Sequence, residues 1–519
     1  MQINRTTNTI KNTATGLIFK ILNLLMPFVI RTLIINKLGM EYAGLSSLFT
    51  SVLQLLSLSE LGFASVVAFE MYKPIAENDR DKICTLITFM RKVYYVIGSA
   101  LLAVGLAITP ALPYFIKGEH PADVNLYVLY FIYLFNTVIS YFCFAYKGVL
   151  LSAHQRNDVE NNVMTLCNMI MYVCQIVALC VFPNYYVYII FLPLSTLMIN
   201  LLRARIVNKM FPEYREKREI TAEDKKKIFR NIGAMVGHSM SGVLVVALIN
   251  VIISANLGLN DLAIYNNYYY IASALMGIVR IFYISLMGGI GNSMVVESRD
   301  KNYRIFRVLN FINVWLVGWM SVCLLCLFQP FMEIWVGSEN MLPDLSAFLF
   351  VLLVYFWKFK DMVYTFKDAA GMWRADFWKP YVVTAVTFFA AMILIKLLGI
   401  DGVIIAMLLG VFVVSMPWET HVLFKDYFAK SPKRFYLSML VYTLAVFAVG
   451  ALTYYVCSFL PKSGYVGLLL KFAVCLVLPN LIFVALSFKT EEFKSVCDKL
   501  KSMLKNRKKK PERDNGTEE

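Results

Sequence analysis

The chain has 519 residues, 59% of them hydrophobic and 16% charged, with a formal net charge of +16. A soluble domain carries about 25% charged residues to cover its surface, so a chain this long and this apolar takes lipid as its solvent. The positive charge would by itself admit a nucleic acid as partner, but its placement along the chain excludes one.

The first apolar run, residues 12–36, passes Lys20 and Arg31 without meeting a small-residue cleavage site, so it reads as a helix and not as a removed leader. Further runs centre on 42–70, 88–110, 124–145, 161–182, 186–204, 231–255, 262–290, 309–335, 345–366, 377–398, 402–424, 436–459 and 464–487. Each suits a hydrocarbon core about 30 Å thick, which predicts an all-α polytopic membrane protein of about fourteen transmembrane helices. Pro27 and Pro193 fall within runs, as a bundle tolerates where neighbours satisfy the freed carbonyls.

With the N-terminus cytoplasmic, 42 of the 50 Lys and Arg lie in cytoplasmic segments. Only Lys37, Lys117, Lys396 and Lys462 lie in outer loops, and Lys20, Arg31, Arg280 and Lys471 fall within helices. A miscounted helix would reverse the alternation downstream, so the bias supports both the count and two cytoplasmic termini. The basic tail from Lys489 to Arg513 then rests on anionic membrane lipids, and no basic soluble domain is left to bind nucleic acid. Eight of the ten cysteines lie in apolar runs. Cys323 and Cys326 form a C-x-x-C with no His or second pair nearby in sequence, so they read as small apolar filler and no metal site is expected.

Shifting the sequence by about 220 residues sets Leu38-Gly39-Met40-Glu41-Tyr42-Ala43 against Leu257-Gly258-Leu259-Asn260-Asp261-Leu262-Ala263, with one insertion. The same shift sets Ala76-Glu77-Asn78 against Val296-Glu297-Ser298. The bland alternative is chance among common Leu-Gly dipeptides. The first and seventh runs both travel outward, so the halves read as parallel six-helix repeats, the build of transporters with a site between the halves. The expected divisions are an N-lobe over 1–207, a basic linker over 208–230, a C-lobe over 231–428, two appended helices over 429–487 and a basic tail over 488–519.

A cation at the centre of a membrane helix costs roughly 2.5–3.5 kcal/mol, so those present need a reason. Lys20 and Arg31 are eleven residues apart, hence about 20° apart on one face with about 16 Å of rise. In the eighth run Asn266, Tyr269, Ser273 and Arg280 form a similar polar stripe. Lys20, Arg31, Arg280, Asn266 and Tyr269 are therefore the expected substrate-binding residues, with snorkelling the competing reading for Arg31. Glu60, His238 and Asn250 are the expected coupling or ion-pair residues. The shift sets Glu60 opposite Arg280, Arg31 opposite Asn250 and Lys20 opposite Ser239. A purely structural Glu60–Arg280 bridge and a packed, neutral His238 are the alternatives. No P-loop, nucleophile elbow or metal motif appears, which argues against an enzyme or an ATP-driven pump.

Leu58-Ser59-Glu60-Leu61-Gly62-Phe63-Ala64-Ser65, Tyr72-Lys73-Pro74-Ile75-Ala76-Glu77-Asn78-Asp79 and Ala263-Ile264-Tyr265-Asn266-Asn267-Tyr268 resemble the Wzx-type polysaccharide transporters of the multidrug/oligosaccharidyl-lipid/polysaccharide (MOP) exporter superfamily. Phe366-Lys367-Asp368-Ala369-Ala370-Gly371-Met372-Trp373 is similar to the loop after the tenth helix of Gram-positive-type members. The resemblance implies a flippase for an undecaprenyl-pyrophosphate-linked oligosaccharide in the bacterial cytoplasmic membrane, acting as a monomer by alternating access around a cationic cavity. It also implies that the last two spans guide the lipid tail. Related lipid II flippases place basic residues on helices 1 and 8, as Lys20 and Arg280 are placed here, and acids on helix 7 for sodium. The seventh run offers His238, Ser239 and Asn250 but no acid, so no cofactor is expected and H+ or Na+ coupling stays open. The chemistry agrees with an anionic cargo, because a pyrophosphate cannot cross hydrocarbon unpaired and fixed cations offer it charge-assisted bonds. A lipid II flippase and a small-molecule exporter of the same superfamily are the alternatives, the latter needing an acidic cavity.

Overall fold

The computed structural model describes residues 25–57, 63–214, 219–221, 228, 242–372, 374–461 and 464–508. Among them there is no strand. The helices in chain order are α1 (residues 25–37), α2 (Met40–Leu56), α3 (Phe63–Ala76), α4 (Arg80–Ile108), α5 (Leu126–Phe142), α6 (Gly148–Ala153), α7 (Asn157–Val181), α8 (Tyr185–Ile189), α9 (Phe191–Met210) and α10 (Gly242–Asn256). They continue as α11 (Leu259–Val296), α12 (Arg299–Val336), α13 (Asp344–Phe359), α14 (Asp361–Ala369), α15 (Lys379–Leu409), α16 (Met416–Val422), α17 (Lys433–Ser458), α18 (Gly464–Ser487) and α19 (Glu491–Lys508).

Among the described residues, eight helices are long and apolar enough to cross a membrane, or nine if α5 and its bent continuation Ala145–Ala153 form one span. The protein is an all-α, multi-pass membrane protein. The described parts of the other apolar runs are helical too. Runs 377–398 and 402–424 lie in one helical stretch, Lys379–Phe428, bent at Gly399, whose φ is +59°. Run 345–366 is divided between α13 and α14, and runs 12–36, 42–70 and 231–255 are described only in part.

The described chain packs as two compact units. Unit 1 comprises residues up to Asn267 together with Pro380–Ala406. Here α4 packs on α3 and α5, and α9 on α5 and α7. Apolar burial drives no association between helices in lipid, so close packing and polar contacts do that work. The buried Tyr133 hydroxyl donates to Ser46 Oγ at 3.0 Å and lies 3.2 Å from the Tyr185 hydroxyl. At Gly44 α2 comes so near the start of α11 that a Cβ would collide with the Leu259 carbonyl.

Unit 2 comprises Tyr268–Lys379 together with the residues from Met407 onward. Its axis is α12, against which α13, α17, α18 and α19 pack. The Trp315 indole donates to Asn480 Oδ1 at 2.8 Å and stacks on Phe493 of α19 with ring centroids 6.0 Å apart. Arg307 pairs with Glu492, which fixes α19 to α12 by charge as well as by ring contact.

The repeat is visible in the joints between helices. Ile34 O accepts from the backbone N–H of both Leu38 and Gly39, and Ile253 O accepts from both Leu257 and Gly258. Gly39 and Gly258 both have positive φ, +125° and +107°, before the helix that follows. At the far end of each helix pair, Asp79 caps α4 by accepting from Lys82 N, and Ser298 caps α12 by accepting from Lys301 N. Both matches have an offset of 219 residues (258 − 39 and 298 − 79), without an insertion. The identical Arg-Asp-Lys after each cap, 80–82 and 299–301, carries the same register in sequence. At that offset Arg31 still meets Asn250 and Lys20 still meets Ser239, but Glu60 meets Val279 and not Arg280.

Candidate functional site

In unit 1, side chains of α1, α2, α10 and the first turns of α11 meet in one hydrogen-bonded cluster. The Arg31 guanidinium donates to Asn267 Oδ1 at 2.5 Å, to the Ala263 carbonyl at 3.2 Å and to Ser47 Oγ at 3.5 Å. Asn250 donates to Ser51 Oγ at 2.9 Å and accepts from Asn266 Nδ2 at 3.2 Å. Asn266 also donates to the Leu262 carbonyl at 3.0 Å. Asn250, Asn266 and Asn267 are buried, and Arg31 is half-buried. Because Ser47 and Asn266 are also 219 residues apart (266 − 47), the Arg31–Ser47 and Asn250–Asn266 contacts are repeat equivalents. These three acceptors of Arg31 are neutral, so these bonds orient the guanidinium.

Three of the expected residues, Arg31, Asn250 and Asn266, are thus brought together. Tyr269 and Arg280 lie further along α11, in unit 2. Tyr269 is half-buried, whereas Arg280 is exposed and makes no ion pair among the described residues. Lys20, Glu60 and His238 lie outside the described residues.

Unit 2 holds a second charged cluster, where α14, the start of α15 and α16 converge. Lys367 pairs with Asp376, and Lys379 with Glu419. Lys379 also lies 3.2 Å from Asp376, and Lys360 lies 3.3 Å from Glu419. The three ammonium groups of Lys360, Lys367 and Lys379 surround the Tyr364 ring at 5.9, 5.1 and 5.5 Å from its centroid. Lys367, Asp376, Lys379 and Glu419 are all buried. Burial, followed by the like charge of Lys379, holds the Lys367 ammonium below its ordinary pKa against the pull of Asp376 and Glu419.

A family profile described as polysaccharide biosynthesis protein matches residues 9–287, more than half of the chain. The chain belongs to the polysaccharide biosynthesis protein family. Its fold is similar to that of a solved lipid II flippase MurJ in an inward closed conformation, with a TM-score of 0.67 at 13% identity over 90% of this chain and 98% of that one. It is also similar to an inward-facing multidrug resistance MATE family transporter of the MOP superfamily, with a TM-score of 0.58 at 15% identity over 76% of this chain and 93% of that one. At such identities the likeness is one of fold. No curated protein sequence matches the chain significantly.

In this polysaccharide biosynthesis protein the matched residues include the whole Arg31 cluster, so the cluster lies in the part of the chain that defines the family. The Tyr364 cluster lies beyond it. Sequence reading missed that cluster because Glu419 is 40 residues from Lys379 and 59 from Lys360. The available signal was three lysines and three aspartates from Lys360 to Lys379, but charge beside a membrane span is ordinary there. Asn267, Ser47 and Ser51 were missed for a related reason, since small polar residues are common between membrane helices.

Proposed function

We propose that the protein moves an undecaprenyl-pyrophosphate-linked oligosaccharide, a repeat unit of capsule or exopolysaccharide, from the inner to the outer leaflet of the bacterial cytoplasmic membrane. The six-helix lobes 1–207 and 231–428 rock about the linker 208–230, helices of 429–487 guide the lipid tail, and both termini are cytoplasmic with 488–519 on anionic lipid. The protein acts as a monomeric transporter without catalysis or cofactor, driven by H+ or Na+. The observation that carries this reading is Arg280, an exposed arginine on the apolar, 38-residue α11 with no ion pair among the described residues. A cation facing hydrocarbon there would cost roughly 2.5–3.5 kcal/mol, whereas one facing a watered cavity captures a pyrophosphate. Lys20 and Arg31 supply further positive charge, and Asn266 and Tyr269 supply hydrogen bonds to sugar. Glu60, His238 and Asn250 serve coupling or pairing.

Flipping of a lipid-linked oligosaccharide in reconstituted vesicles tests the reading. Lys20→Ala and Arg280→Ala each remove a charge-assisted contact worth roughly 1.5–3 kcal/mol, so capture at limiting substrate falls about tenfold or more. Lys20→Arg keeps part of the rate. Wild-type rates for both alanine variants, at matched insertion, would sink the assignment. The likeness to MurJ over 90% of the chain favours lipid II as the second reading. Supplying lipid II and the oligosaccharide lipid in competition decides between them by which one is moved.

A further inference from the structure

The sequence offers Cys323 and Cys326 no partner pair, but the fold of unit 2 brings one in from two other helices. Cys326 of α12, Cys457 of α17 and Cys475 of α18 are all buried, and their three Sγ atoms lie within 4.8 Å of one another. Cys323, one turn before Cys326, lies close enough for its thiol to reach the Cys475 carbonyl at 3.9 Å. The same carbonyl accepts from the Trp319 indole at 2.9 Å, which fixes the backbone that carries Cys475. Lys471, four residues before Cys475 on α18, is buried and within electrostatic reach of Cys457. Neither the cysteines nor this buried lysine has a part in the proposed transport.

We propose that Cys326, Cys457 and Cys475 bind a zinc ion as thiolates, with Cys323 as the fourth ligand, and that the metal clips α17 and α18 to α12. Thiolate donors select soft metals, and four sulfurs around a point are the donor set of a closed structural zinc site. With Zn–S bonds of about 2.3 Å, a tetrahedral site needs sulfurs about 3.8 Å apart, so the three already stand within about 1 Å of that spacing. Cys323 joins by giving up its weak bond to the Cys475 carbonyl. On binding, each ligating thiol releases its proton to solvent, and no electron is transferred. Four thiolates and Zn2+ sum to two negative charges, and the Lys471 ammonium offsets one of them, which lowers the cost of holding the site in lipid.

The full-length protein, purified in detergent from zinc-supplemented cells and washed with a chelator, tests this by elemental analysis. About one zinc per chain is expected, falling roughly tenfold in Cys326→Ser/Cys475→Ser and unchanged in Cys180→Ser, which alters an exposed cysteine outside the cluster. A second measurement needs no variant: Co2+ added to metal-stripped wild type gives the thiolate-to-metal absorption of a tetrahedral sulfur site. Absence of both bound zinc and the cobalt band overturns the proposal. So does copper in place of zinc, or a disulfide between any two of these cysteines found by peptide mapping without reductant.

Discussion

Glu419 stands between Lys360 and Lys379 with 1% of its side chain exposed, so its charge is answered by protein and hardly by water. Removing one member of a buried pair strands the others, at a cost of roughly 3–5 kcal/mol. Glu419→Gln should therefore lower the stability of the purified protein by that order, read from its thermal unfolding in detergent. Lys379→Met with Glu419→Leu should cost less than either single change, because nothing charged is left stranded between that pair. An unshifted transition in Glu419→Gln would mean that water already reaches the cluster. At this scale Arg31, Arg280, Asn250 and Asn266 are legible in the sequence, because a polar side chain within an apolar run identifies itself. Its partner does not: nothing in the spacing points from Arg31 to Asn267, 236 residues away. The same blindness hides Cys457 and Cys475 from the Cys323–Cys326 pair.

Gly39 and Gly258 act through the helices they join. Each closes the end of one helix on a doubly used carbonyl and turns the chain into the next at a φ that other residues avoid. Alanine at either position should cost roughly 1–3 kcal/mol through backbone strain. Gly258→Ala should cost more, since its Cβ would also stand 3.0 Å from the Lys117 carbonyl. Equal unfolding temperatures for wild type and both variants would refute a structural role for the two turns. Apolar runs place the helices because every backbone bond in lipid must be made internally. Breaks within a run are harder to read. The bend at Gly399 and the division between α13 and α14 depend on local backbone geometry, and an apolar run looks alike whether it is straight or broken.

For the whole molecule, charge placement predicts topology more sharply than hydropathy does. Cysteines introduced at Gly118, Asn184 and Ser338 should be labelled by an impermeant reagent applied to intact cells, and those at Asn78 and Asn302 should not. Labelling at Asn302 from outside would reverse the assigned orientation. The Arg31 cluster has a different consequence, for reversibility. If transport separates the repeats, the bonds between Ser51 and Asn250 and between Arg31 and Asn267 must open and re-form in each cycle. The bond between the Ser51 hydroxyl and the Asn250 amide contributes only about 0.5–1.5 kcal/mol net, because water can take either partner's place. The lysine–carboxylate pairs of unit 2 could not be traded for water so cheaply. The cluster is thus a fastener weak enough to be undone by the binding of one anion, and a covalent tie at the same place should jam the cycle. Ser51→Cys with Asn250→Cys should keep, while reduced, whatever rate the loss of Asn250 leaves, lose it when oxidised and regain it on reduction, whereas the same rate in the oxidised and reduced forms would show that these helices never part.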